Sequence, residues 1–79
     1  MEKFGEKLRA LRLHSGFTLK QLATQLGLSS HGYISEMECG KKKPTADFII
    51  AVAALFQVTT DELMKDELEI DSIKLLKKE

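Results

Sequence analysis

Three consecutive lysines, Lys41, Lys42 and Lys43, stand between Gly40 and Pro44. Such a run is often a solvated loop. Placed directly after a candidate helix and before a proline, it reads as a clamp for phosphates. Neutralising several phosphates makes affinity for a nucleic acid fall steeply with salt. Polar side chains precede the run: Ser29, Ser30 and His31, then Gly32, Tyr33, Ser35 and Glu36. His31 is either an exposed turn histidine or a donor to a phosphate or a guanine edge. Glu36 can accept from cytosine N4 in a major groove, or it can simply face solvent or pair with a lysine. The second reading is the plainer one. Arg9 stands between phosphate contact and solvent. Cys39 falls at a helix C-terminus, where the dipole disfavours a thiolate, so a redox role is the weaker reading. No Ser-His-Asp set, paired carboxylate pocket, Gly-rich phosphate loop or spaced His/Cys cluster is present. The expectation is a non-enzyme with no catalytic residues, no cofactor and no metal.

The elements that must position these groups lie between Thr18 and Pro44. Thr18 is a good N-cap, and Gln21, three residues on, can complete a capping box. Leu19, Leu22, Ala23 and Leu26 recur at helical spacing, which predicts a helix from Thr18 to about Leu26. Gly27 permits the left-handed backbone that ends it. Ser29 or Ser30 can cap the next helix, which carries Ile34 and Met37 on one face and ends at Gly40. Two short helices around a glycine turn form a helix-turn-helix, whose second helix can enter a DNA major groove.

The rest of the chain reads as support. Phe4, Leu8 and Leu11 form an apolar stripe, predicting a first helix from Phe4 to about His14 that Ser15-Gly16 stops. Thr45 can cap a further helix to about Phe56, with Ile49, Val52, Ala53 and Phe56 facing the core. Phe48 and Leu55 then lie on a second apolar side, which is expected to meet a partner chain. Thr59-Thr60-Asp61 offers a cap for a short helix that packs Leu63 inward. Residues 66–79 have no clean stripe and read as a dimerisation helix or a loose tail.

The 79 residues make one small domain, with residues 1–65 as its body. A chain this short buries about 60% of its unfolded surface, leaving little room for a substrate cavity. Twelve basic and twelve acidic residues balance. The balance hides a gradient. Residues 1–43 hold eight Lys/Arg against four acids, and residues 44–79 hold four against eight. One basic face can bind a polyanion despite zero net charge. There is no membrane-spanning apolar run, no signal-peptide pattern and only one cysteine. A cytoplasmic setting with no membrane partner is the expectation.

The stretch from Phe4 to Leu63 resembles the Cro/cI-type helix-turn-helix domain of the XRE family. The resemblance rests on Leu8-Arg9 and Leu11-Arg12 followed by Gly16, on Leu22-Ala23 and Leu26-Gly27, and on Tyr33-Ile34-Ser35. It continues through Glu38, Gly40, Pro44, Val52-Ala53, Val58 and Leu63. It implies an all-α, five-helix lambda-repressor-like fold. It also implies a transcriptional regulator, a repressor or controller protein, that binds double-stranded DNA as a homodimer on a palindromic operator. The reading helix would be Ser30 to Glu38. Ser30, His31, Gly32 and Glu36 would lie nearest the bases. Tyr33, Ser35, Lys41, Lys42 and Lys43 would lie on the backbone. Arg12 and Glu38 would form a structural ion pair. Two departures stand out. Leu19 occupies a position where relatives commonly use a phosphate-binding glutamine, which leaves the anchoring to Thr18 or Lys20. The turn from Ser29 to Gly32 is also one residue longer than the usual pattern. The other class of function that this composition permits is a protein-interaction module, an antitoxin or adaptor with a toxin or other regulator as partner.

Overall fold

The computed structural model describes residues 1–70, and among them the architecture is five helices without a strand. These are α1 (Phe4–His14), α2 (Leu19–Gln25), α3 (Gly32–Glu38), α4 (Ala46–Phe56) and α5 (Thr60–Met64). The all-α, five-helix expectation holds. The expected tail helix falls, from residue 71 on, outside the described residues.

Local chemistry sets most boundaries. Thr18 and Gln21 form the full capping box at α2, and Thr59 with Glu62 repeats it at α5. Thr45 Oγ1 accepts from the Phe48 amide to open α4. The α1 N-terminus has no cap from its own Lys3. Instead the Asp66 carboxylate, from beyond α5, accepts from the Glu2 and Lys3 amides at 3.0 and 2.9 Å. Those bonds, the Lys3 amide foremost, hold Asp66 below the ordinary carboxylate range. In return the Lys7 ammonium donates to the Glu62 and Lys65 carbonyls at the end of α5. An anion at a helix start and a cation at a helix end both suit the helix dipole. The first and last helices are thus fastened to each other.

The core is wholly apolar. Phe4, Leu8 and Leu11 from α1 meet Leu22, Ala23, Ile34, Met37, Phe48, Ile49, Val52, Ala53 and Leu63. Ile70, in the stretch after α5 with no periodic signal, is buried with them. Phe48 corrects the sequence reading. It is only 7% exposed and belongs to the core of this chain, where the sequence reading set it on an open side. Its ring packs edge-on against Phe4, with centroids 6.1 Å apart, and against Tyr33 at 5.4 Å. The second side of α4 is covered from within the chain, by the start of α1 and the head of α3. Leu55 is half-buried against the core. The large apolar α4 residue left open is Ile50, 58% exposed.

Candidate nucleic-acid interface

Helix α3 is short, and the question is what holds it in place. Its Ile34 and Met37 are buried, which seats one side on the core. Gly5 of α1 then lets the two helices touch backbone to backbone. A Cβ there would lie 2.5 Å from the Met37 carbonyl oxygen and 2.8 Å from that of Glu38. Glycine inside a helix costs about 1 kcal/mol relative to alanine. Here the cost is offset by a close approach no other residue permits. An interior glycine between core positions Phe4 and Leu8 was the available sequence signal, and sequence reasoning passed over it.

Arg12 completes the attachment. Its Nε donates to Glu38 Oε2 at 2.7 Å and its Nη2 to Glu38 Oε1 at 3.0 Å. Its Nη1 donates to the Phe17 carbonyl at 3.1 Å. The two side chains are 11% and 7% exposed. The hydrogen bonds to Glu38 raise the Arg12 pKa against the opposing effect of burial, so the guanidinium keeps its charge. One guanidinium therefore joins α1, the entry to α2 and the last turn of α3.

The end of α3 follows directly. Gly40 adopts φ +78°. Its amide donates to the Met37 carbonyl at 3.2 Å, and the Lys41 amide donates to the Glu36 carbonyl at 2.9 Å. This is the Schellman pattern. It turns the lysine run back over the helix that it leaves. Lys42 Nζ comes within 3.4 Å of Glu36 Oε1 and 5.4 Å of the Tyr33 ring centroid. Lys41 and Lys43 are exposed and, among the described residues, have no ion pair.

The start of α3 differs from expectation. The helix begins at Gly32, not Ser30. His31 stands at the cap position in helical backbone, and its side chain makes no capping bond. Ser30 Oγ accepts from the Gly32 amide at 3.2 Å, across the turn and not into the helix. Ser29, Ser30 and His31 form an exposed loop ahead of the helix. With Ile34, Met37 and Glu38 turned inward, Gly32, Ser35, Glu36 and Cys39 occupy the outward side. Thr18 is exposed with its hydroxyl occupied in the capping box, and Lys20 is exposed. Leu19 is half-buried against the core, a packing role in place of a polar anchor.

An open groove of about 300 Å³ runs beside Tyr33, lined also by Leu26, Leu28, Thr45, Asp47, Phe48 and Ala51. It is more of a cleft than the sequence suggested. Its lining has no histidine or cysteine, and its Thr45 hydroxyl is engaged in capping. Among the described residues no three His, Cys, Asp or Glu side chains are grouped to hold a metal ion, and no helix is long and apolar enough to cross a membrane.

Known proteins share this arrangement. The HTH-type transcriptional activator BcrR of Enterococcus faecalis is 40% identical over 65 residues, covering 82% of this chain and 31% of that protein. The chain spans 31% to 57% of the length of several curated relatives. The N-terminal DNA-binding domain of SinR from Bacillus subtilis superposes with TM-score 0.76 at 24% identity, over 87% of this chain and all of that one. At that identity the likeness is one of fold. The restriction-modification controller protein C.AhdI from Aeromonas hydrophila superposes with TM-score 0.70 at 30% identity, over 80% of this chain and 94% of that one. The family described as the helix-turn-helix domain matches residues 3–65. With that match over most of its length, the chain belongs to the helix-turn-helix DNA-binding domains of the Cro/cI type, the XRE family.

Proposed function

We propose that the chain is a sequence-specific regulator of transcription that binds duplex DNA through α3, as a homodimer on a palindromic operator. The observation that carries this reading is the fixing of a short helix with its outward side left open. Gly5 and the Arg12–Glu38 pair fasten α3 to α1, and its C-cap leads into the lysine run and brings Lys42 back beside it. In a two-fold dimer the two reading helices would enter successive major grooves about 34–36 Å apart. Occupancy of a promoter then blocks or recruits polymerase, and repression is the simpler outcome. Residues 1–65 form the DNA-binding body in this reading, and residues 66–79 are an extension. Leu55 remains the candidate from the sequence-read dimer surface, since Phe48 is core.

The test is selection from random duplexes combined with sedimentation. A palindromic consensus and a dimer at micromolar concentration support the reading. Duplex affinity that does not fall with salt, or a consensus with no symmetry from a monomer, removes it in whole or in its dimer part. Replacing Lys41 and Lys43 together by alanine should lower the slope of log affinity against log salt by about four in the dimer, one for each phosphate that is no longer neutralised. A second reading, a module that binds a toxin or another regulator, draws on exposed Leu13 and Ile50. It predicts salt-independent behaviour toward DNA, so the same titration separates the two.

A further inference from the structure

We propose that Glu36 selects the base at the centre of the α3 reading side, accepting from a cytosine N4 amino group, and that Lys42 and Tyr33 position it. The proposal rests on the duplex-binding reading above and deepens it. Of the outward residues of α3 and its C-cap, Gly32 has no side chain, and Ser35 and the C-cap Cys39 each extend one atom past Cβ. Glu36 reaches furthest. A carboxylate only accepts hydrogen bonds. In a major groove it is repelled by guanine O6 and N7 and by thymine O4, and adenine sets its N7 acceptor beside its one amino group. Cytosine offers a donor without that neighbour.

A lone carboxylate in a groove would be repelled by the phosphates on both sides. Lys42 answers that. Its ammonium lies 3.4 Å from Oε1, and the far oxygen remains for a base. The Tyr33 ring lies 5.4 Å from the same ammonium and limits where it can go. That ring is itself fixed edge-on against buried Phe48. The Gly40 turn brings the lysine back to Glu36 from six residues on. The Glu36 and Lys42 side chains are 44% and 50% exposed, so both are open to a duplex.

Selection from random duplexes on the full chain, for the wild type, Glu36→Gln and Lys42→Met, tests this. Glu36→Gln keeps the shape of an exposed side chain, and a thermal melt checks its fold. The wild-type consensus should carry a cytosine that Glu36→Gln changes to adenine, because glutamine pairs with adenine N6 and N7. The preference at that position should shift by about tenfold. Lys42→Met should weaken every sequence, lower the salt slope by about two in the dimer and relax the same position. An identical consensus for the wild type and Glu36→Gln overturns the role of Glu36 and leaves duplex binding intact. Relaxation absent in Lys42→Met overturns the positioning role of Lys42. A wild type that selects no consensus overturns the duplex reading and this inference together.

Discussion

The two ends of α3 are built differently. The tail is held by three independent devices within one turn. Arg12 grips Glu38, Gly5 admits the Met37 and Glu38 carbonyls, and Gly40 closes the cap. The head has no cap from His31, and its one side-chain hydrogen bond is the exposed one from the Gly32 amide to Ser30, with Tyr33 and Ile34 packed behind it. A helix fixed at one end and light at the other has a set position and an adjustable approach. The part that must adapt to base edges is the exposed Ser29–His31 loop ahead of the helix, where little burial restrains the chain. The contrast can be broken or sharpened one device at a time.

The largest effect should come from Arg12→Ala. Removing one member of a largely buried pair strands the other, at a typical cost of about 3–5 kcal/mol. The Phe17 carbonyl loses its donor as well. Urea unfolding should show the loss. A change below about 1 kcal/mol would mean that the tail is held by packing alone. Gly5→Ala comes next. Its methyl group would overlap two backbone oxygens, which cannot rotate away. The helices must separate, at about 1–3 kcal/mol by analogy with overpacked cores. Because the shift displaces α3 itself, duplex affinity should fall further than the stability change explains. Equal effects on both would show that α1 supports the domain without aiming the helix.

Gly40→Ala should be smaller and more informative. Nothing lies within 4 Å of a Cβ there, so the cost is backbone strain alone, about 1–2 kcal/mol for a left-handed alanine. If the cap opens, Lys42 leaves Glu36. The salt slope of duplex binding would then change together with stability. An unchanged slope would dissociate the lysine run from the cap.

The sequence legibility of these devices follows their range. The capping boxes at Thr18 and Thr59, the Thr45 cap and the glycine stops act within a few residues, and they appear in the pattern of types. The five-helix fold was legible for that reason. The Arg12–Glu38 geometry spans 26 residues, and only likeness to a family drew attention to that pair. Gly5 and the Asp66 and Lys7 fastening depend on which helix ends meet, and no local period encodes that. Phe48 was misplaced for a related reason. A helix apolar on two sides looks as if it needs a partner, until two aromatic rings from the same chain turn out to cover it. Ile70 lies in a stretch without periodicity, so its burial left no trace in the sequence.

The smallest effect on stability should come from the head. Ser30→Ala removes one exposed hydrogen bond, for about 0.5 kcal/mol. Its consequence for binding should be of another kind. Freed from Ser30, the Gly32 amide can reach a phosphate, and the loop carrying His31 can take new positions. The variant should therefore hold its overall affinity and stability while accepting a wider set of sequences, read by repeating the duplex selection. Arg12→Ala should do the reverse, losing stability and affinity while leaving the preferred bases as they were in the molecules that still fold. If Ser30→Ala and Arg12→Ala change affinity and preference in the same proportion, the two ends of α3 do not have separate roles.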